Sequence, residues 1–412
     1  MRRGCLDPLP KGVDCTKKES RPPCLGRIVG KATRRKLVAL IYYDVLIYKC
    51  MKNKKVIIVA VIVVLIVAVS VIVNFNRNKN ADYSVGAVIS LTGYGAVDGL
   101  NIKRGMELAK ADLAGDGVNV NIIYEDDETN PSKTISAIQK MTTSMSKPQV
   151  MFGPIWSFLI SASLPVIDSA NITAYSPCAT SEVVSGTSDD MFYGTYKNIE
   201  SAGVIGDWIK EKNIKKIAVV VSNDAWGESV NASFISGAKN AGANIVLSEK
   251  INFGADKDVM PTIIAKIAKS GAEAVFWTGY DEAGTLLVKR MQEQNLNIPI
   301  VTASSVMKGL IKRGNVQITD NTELYHINIP LDKKFQEKYV NAYGEEPGVC
   351  ADSAYDGMMI VAEAMRKTDG SSDEIAKYMK DKVNYDGYLG NYQFDSNGDR
   401  KGTEWVIDRL TK

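Results

Sequence analysis

The sequence predicts an α/β protein of two doubly wound units, preceded by one N-terminal transmembrane helix. Three observations carry this. Short apolar runs alternate with amphipathic segments from residue 84 to residue 301. The run Val56–Val73 holds 18 residues without a charge. A length of 412 residues exceeds one small domain and leaves ample core for two.

The first unit opens with a strand at Ser84–Ile89 and a helical pattern at Ile102–Leu113. A strand at Val118–Tyr124, a helix at Ser132–Met145 and a strand at Val150–Phe152 follow. A helix after Ser157 and a strand at Ile172–Tyr175 complete it. The second unit begins after a helix at Ile199–Lys210. Its strands are Ile217–Val221, Ile245–Leu247, Ala274–Trp277 and Ile298–Val301, and its helices Ser229–Ala241, Val259–Ala268 and Ala283–Gln294. Such alternation implies parallel sheets with helices on both faces. Helices at Lys333–Tyr343, Ala351–Arg366 and Ser372–Lys380 come next, then a hairpin of Leu389–Phe394 with Glu404–Ile407.

As a helix, Val56–Val73 spans roughly 27 Å, close to the hydrocarbon thickness of a bilayer. Lys52, Lys54 and Lys55 precede it, which keeps its N-terminal side cytoplasmic and exports the rest. No small-x-small cleavage site and no adjacent cysteine follow, so the segment reads as an uncleaved anchor; a signal peptide cut at a cryptic site is the alternative. Residues 1–50 form either a basic cytoplasmic tail or an upstream extension from a misassigned start, since Met51-Lys52-Asn53-Lys54-Lys55 resembles an export-signal start.

The formal charge of +3 conceals an asymmetry. Residues 1–80 hold 17 Lys/Arg against 4 Asp/Glu, and residues 81–412 hold 33 against 43. The exported part is acidic, which argues against a nucleic-acid partner. Cys5, Cys15, Cys24 and Cys50 have spacings unlike a zinc site. The exported part keeps Cys178 and Cys350. A disulfide between them is permitted outside the cell, but two buried free thiols are the favoured reading.

Catalytic constellations fail. His326 is the one histidine, so a histidine-rich metal site is excluded, and no G-x-S-x-G elbow accompanies it. Ser144–Lys147 fits S-x-x-K without its companion motifs. Gly93–Gly99 misses the dinucleotide spacing by one residue. Asp395–Asp399 opens like a calcium loop, but its glycine is misplaced and Val406 stands where the last ligand belongs; a β-turn fits better. No cofactor is expected.

The segment Met151–Thr180 is the most informative. A strand breaks at Gly153-Pro154 and offers Ser157 where a helix starts, and a second strand breaks at Pro177 into Cys178-Ala179-Thr180. Two strand ends thus present hydroxyls and backbone N–H groups beside a helix N-terminus. That arrangement suits a small anion, and parallel sheets bind ligands at the carboxyl ends of their strands. Two ordinary strand–helix caps are the plainer alternative.

From about Tyr83 to Leu410 the chain resembles the periplasmic binding proteins of the leucine/isoleucine/valine-binding type. The resemblance rests on VGAVISLTGYGAVDG with GMELAK, YEDDETNP, GPIWS, YSPCAT, VVSNDAWGES, FWTGYDEAG, ADSAYDGMMIVAEAM and FDSNGDRKG, in that order. It implies two lobes joined by three crossings that close on one small ligand. The implied crossings fall near Thr195–Lys197, Tyr325–Ile329 and Tyr388–Gly390. Lobe 1 is then 82–196 plus 329–387, and lobe 2 is 197–325 plus 390–412. It further implies that Ser157 and Thr180 hold a ligand carboxylate, that the Ala179 carbonyl takes an ammonium, and that Trp226 and Tyr280 cover the ligand. The partner implied is an ABC permease, with the membrane reached through the chain's own anchor.

One departure matters. Amino-acid binders of this family often carry an acidic residue in the loop after the strand Ile298–Val301; here that loop opens Thr302-Ala303-Ser304-Ser305. A buried ammonium needs a partner. Asp98 in the first loop and Asp281 beside Tyr280 are the substitutes. Otherwise the ligand lacks an ammonium and is a carboxylic acid, an amide or a urea-like compound. A sensor without a transport role is a further alternative.

Overall fold

The computed structural model describes residues 82–252, 256–279, 281–303, 322–402 and 404–411. The expected tail, the anchor at Val56–Val73 and Tyr280 lie outside these residues. Among the described residues no helix is long and apolar enough to cross a membrane.

The first sheet runs β2-β1-β3-β4-β5, all parallel, from β1 (Asp82–Ile89), β2 (Asn119–Asp126), β3 (Val150–Phe152), β4 (Thr173–Ser176) and β5 (Met191–Tyr193). Val85, Ala87, Val88 and Ile89 of β1 are fully buried, as expected for a central strand covered on both faces. The covering helices are α1 (Ala96–Gly115), α2 (Pro131–Thr143) and α3 (Ser157–Ala170). Asn130 starts α2 by accepting from the amides of Ser132 and Lys133, with Pro131 at the first helical position.

The second sheet runs β13-β10-β9-β8-β6-β7. Its strands are β6 (Lys216–Ser222), β7 (Asn244–Ile251), β8 (Ala274–Thr278), β9 (Ile300–Thr302), β10 (Leu324–Asn328) and β13 (Val406–Arg409), the last pairing antiparallel with β10. Helices α4 (Ala202–Glu211), α5 (Ala225–Ala241), α6 (Asp256–Ser270) and α7 (Asp281–Glu293) accompany it. Apart from β13, the two sheets share one strand order, with a central strand followed by a reversal of direction.

That reversal is built the same way twice. A serine marks the end of each of these strands, Ser90 just after β1 and Ser222 as the last residue of β6, and the first turn of the next helix carries a glycine against that serine's carbonyl. A Cβ on Gly99 would meet Ser90 O at 1.8 Å, and one on Gly227 would meet Ser222 O at 1.8 Å. No side chain fits at either position, so glycine permits the close helix–strand approach.

Three stretches pass between the sheets. The first leaves β5 and enters α4 through a 3₁₀ turn, Asn198–Ser201. The second leaves β10 and enters α8 (Lys333–Tyr343), whose Phe335 and Tyr339 lie in the core of the first sheet with α9 (Ala351–Lys367) and α10 (Ser372–Lys382). The third differs from expectation. The hairpin pairs β11 (Tyr385–Gly387) with β12 (Gly390–Tyr392), while the strand near the chain end joins the second sheet. Tyr392 and Phe394 pack in the first core, where Phe394 meets Phe192 edge to face. The crossing therefore lies beyond Arg400, not at Tyr388–Gly390, because these aromatics belong to the first core.

One further correction concerns the cysteines. Cys178 and Cys350 form a disulfide with Cα atoms 5.5 Å apart, where free thiols were favoured; their 172-residue separation hides the pairing from sequence. His326 is buried inside β10. Asp395–Asp399 is a turn, its Asp395 carboxylate accepting from the amides of Asn397 and Asp399 at 2.8 and 2.9 Å.

Candidate functional site

The carboxyl ends of β3 and β4 meet beside the start of α3. Ser157 is the first residue of α3, only 3 % exposed, and its Oγ accepts from the Ser181 amide at 3.3 Å. An oxygen held as acceptor by a backbone N–H keeps its own O–H free to donate. The loop after β4 is equally fixed. Ser176 Oγ donates to Pro154 O at 2.8 Å and accepts from the Ala179 amide at 3.3 Å. The Ala179 carbonyl accepts from Thr195 Oγ1 at 3.4 Å, and the Thr180 carbonyl from the Asn198 amide at 2.9 Å. Ser157, Ala179 and Thr180 are thus gathered at one strand-end cluster by bonds that do not consume the Ser157 hydroxyl proton.

The paired aspartates of YEDDETNP build the neighbouring loop. Asp126 Oδ1 accepts from the Leu91 and Thr92 amides at 2.9 and 3.2 Å. Asp127 is fully buried and accepts from Ser90 Oγ at 2.6 Å and the Thr129 amide at 2.9 Å. Burial pushes the Asp127 carboxyl up from its ordinary value, and the bonds from Ser90 and Thr129 oppose that shift. Thr129 Oγ1 in turn holds the Gly95 amide at 2.8 Å. Beyond this loop α1 begins at Ala96, so Asp98 stands half-buried in the helix's first turn and not in the loop as expected. A carboxylate there also favours the helix dipole.

From the other sheet, Trp226 is the second residue of α5, half-buried against the core around β6. Asp224 caps that helix by accepting from the Gly227 amide at 2.9 Å. Asp281 is the first residue of α7, and Tyr280 falls outside the described residues. At the end of β9, Thr302 and Ala303 carry no charge, and Ala303 N donates to Trp277 O at 3.2 Å. The start of α5 and the β4 loop are neighbours: Ser181 Oγ donates to the Ala225 carbonyl at 2.7 Å.

Sequence reasoning did not single out Trp156, Tyr94, Ser181 or Glu182. Trp156 precedes Ser157, and its ring lies edge-on to Tyr94 at 5.9 Å and to Phe158 at 5.6 Å. The aromatic spacing W-S-F was a visible signal. The reach from Ser181 to Ala225 is tertiary and left none.

Residues 82–410 match the family model described as periplasmic binding protein. The chain belongs to that family. The sequence is 26 % identical over 351 residues to a Leu/Ile/Val-binding protein homolog of Brucella abortus, covering 79 % of this chain and 90 % of the relative. It is 26 % identical over 342 residues to an amino acid binding protein of Pseudomonas aeruginosa, covering 79 % and 90 %. Among solved structures, an ABC-transporter solute binding protein of Rhodopseudomonas palustris in complex with 3,4-dihydroxybenzoic acid superposes with TM-score 0.70 at 23 % identity, covering 80 % of this chain and 93 % of that one. A branched-chain amino acid transporter substrate binding protein of Streptococcus pneumoniae in complex with isoleucine gives TM-score 0.68 at 21 % identity, covering 80 % and 100 %. These likenesses show the fold of a type I periplasmic binding protein.

Proposed function

We propose that this periplasmic binding protein is the extracytoplasmic solute receptor of an ABC-type transporter, tethered by Val56–Val73 and handing its solute to a membrane permease. It binds and releases, and catalyses nothing. Lobe 1 is 82–196 with 329–402, and lobe 2 is 197–325 with 404–411. The ligand is a small carboxylate of the branched-chain amino acid type, seated between Ser157, Ala179 and Thr180 on lobe 1 and Trp226 with Tyr280 on lobe 2. The observation that carries this reading is the buried Ser157 hydroxyl. Its oxygen accepts from the Ser181 amide, and its proton is left to donate to an anion at a helix start. The ligand's ammonium falls to Asp98 or Asp281.

The edge-to-face set Tyr94, Trp156 and Phe158 beside Ser157 favours a second ligand, an aromatic carboxylate, since rings pack on rings in this geometry. Such a ligand has no ammonium and requires neither aspartate.

Thermal-shift screening of the full chain against the amino acids and against benzoate and its hydroxylated forms tests both. A ligand that binds the folded protein raises its melting temperature by mass action. Stabilisation by isoleucine, leucine or valine supports the first reading, and stabilisation by benzoates the second. Absence of any shift across both sets overturns the carboxylate site. Carbonate extraction tests the tether: recovery of the chain in the soluble fraction would refute it.

A further inference from the structure

The loop after β4 does more than line the site. It reaches the opposite lobe through two side chains that no ligand role accounts for. Ser181 is fully buried; its amide holds Ser157 Oγ, and its own Oγ donates to the Ala225 carbonyl at 2.7 Å. Glu182 Oε1 accepts from the Ile199 amide at 2.6 Å, and Glu182 Oε2 accepts from Ser229 Oγ. Ser229, 3 % exposed, also accepts from Asn198 Nδ2 at 2.8 Å, and Asn198 is 5 % exposed. Ser181 and Glu182 lie on the lobe carrying β4, Ala225 and Ser229 on the lobe carrying β6, and Asn198 and Ile199 on the first crossing between them.

We propose that Ser181 and Glu182 form a clasp across the cleft, which favours the closed arrangement and sets how slowly solute leaves without touching it. The inference rests on the hinged-receptor reading above. The bonds Ser181–Ala225 and Glu182–Ser229 join different lobes, so they exist only when the lobes are together. On opening, each of these groups exchanges its partner for water. They therefore contribute to the closed state alone, and a ligand's apparent affinity scales with the population of the competent state. The clasp is also tied to the site, because one residue, Ser181, holds the ligand-facing Ser157 with its amide and the other lobe with its hydroxyl. A carboxylate that orders Ser157 thereby steadies the residue that closes the cleft.

The test uses the full chain with two dyes, attached through non-natural amino acids at exposed Leu100 and Ile235, one on each lobe. Energy transfer reads the lobe separation, with isoleucine and benzoate as probe ligands. Ser181→Ala, Glu182→Ala and Ser229→Ala should each raise the population of separated lobes and speed probe release by roughly 3–10-fold, the worth of one net hydrogen bond. The double variant Glu182→Ala/Ser229→Ala should cost less than the sum of the two single ones, since both remove the Glu182–Ser229 bond while each also removes one of its own, Glu182 to the Ile199 amide and Ser229 to Asn198. Should Ser181→Ala fold poorly, the Glu182 and Ser229 pair still decides the matter from both sides of the cleft. Unchanged lobe separation in these variants, or fully additive losses in the double variant, overturns the clasp. If the parent binds neither probe, the ligand reading fails, and the lobe separations still support or overturn the clasp independently.

Discussion

Lys197 Nζ lies 2.9 Å from Asp399 Oδ1, joining the first crossing to the segment that precedes the third. Both residues are buried, at 4 % and 8 % exposure. The ammonium also sits over the Tyr193 ring, 3.4 Å from its centroid, and the other Asp399 oxygen accepts from the Ser185 hydroxyl. Burial pushes the Lys197 pKa down and the Asp399 charge opposes this. A buried ion pair is costly to break from one side, because the surviving charge is stranded. Asp399→Asn is expected to destabilise the protein by about 3–5 kcal/mol in urea unfolding. The double variant Lys197→Met/Asp399→Asn is expected to cost less than Asp399→Asn alone. A double variant as unstable as the sum of both singles would show that the pair is not the unit.

Asp356 gives a pH signature close to the same hinge. It is fully buried, and its carboxylate accepts from the amides of Tyr388 and Leu389, each at 3.0 Å. Burial pushes its pKa up to about 6 from an ordinary 3.8, against the pull of those amides and of Arg400. A carboxyl raised on folding binds its proton more tightly in the folded state. Its contribution to stability is therefore complete below pH 4 and is lost as pH rises through about 6. Asp356→Asn should flatten that fall, a difference of at most about 3 kcal/mol between pH 4 and 7. Parallel pH profiles for parent and variant would count against the raised value.

The disulfide fixes the site loop from behind. Cys178 immediately precedes Ala179, and Cys350 precedes α9, 172 residues further on. A bond closing so long a loop restricts the unfolded chain strongly. Cys178→Ser/Cys350→Ser is expected to lower stability by about 2–5 kcal/mol. It should also weaken ligand binding, because the Ala179–Thr180 backbone must then be ordered by the ligand itself. A dithiol reductant should reproduce both effects on the parent and neither on the variant.

Much of this was legible from the sequence, for physical reasons that differ by element. Strand β3 was read to the residue because Val150–Phe152 is an apolar run cut off by Gly153-Pro154. Helix α8 was read to the residue because Asp332 and Gly344 punctuate both ends. Strand β5 was missed, since three residues, Met191–Tyr193, carry no period. Helix α1 was begun six residues late, because Gly95 and Gly99 weaken the helical signal and Val97 and Leu100 expose apolar surface. The position of Ser157 at the start of α3 followed from the break at Gly153-Pro154 that ends β3. The disulfide, the Arg400 side and the Ser181–Ala225 bond depend on which distant segments fold together, which no local pattern records.

Ser157 and Thr180 should separate two roles that looked alike in sequence. In the proposed seat each gives a hydrogen bond to the ligand carboxylate, so substitution by alanine should weaken binding by roughly 1.5–3 kcal/mol. Ser157→Ala has a further cost. It leaves the buried Ser181 amide without its acceptor, so the unliganded protein should lose about 1–3 kcal/mol of stability. Thr180→Ala should leave the unliganded melting temperature nearly unchanged. If Thr180→Ala binds like the parent, the carboxylate is held elsewhere.

Asp98 decides between the two ligand readings. It stands in the first turn of α1, one helix start away from Ser157, and the loop before it is pinned by Asp126 and Thr129. At the end of β9 the described residues Thr302 and Ala303 carry no carboxylate, and the proposed partners of a ligand ammonium are Asp98 on α1 and Asp281 at the start of α7. Asp98→Asn preserves the shape and removes the charge. If the ligand is an amino acid, its affinity should fall roughly tenfold or more, as for loss of a charged hydrogen-bond partner. The same change should scarcely affect benzoate, which brings no positive charge; removal of an acidic group nearby would if anything favour an anion. Titration calorimetry with isoleucine and with benzoate on the same variant therefore reads the ligand's charge directly. Normal isoleucine binding by both Asp98→Asn and Asp281→Asn would exclude these aspartates as its counter-ion. Weakened benzoate binding in Asp98→Asn would instead mark this residue as an organiser of the α1 helix start.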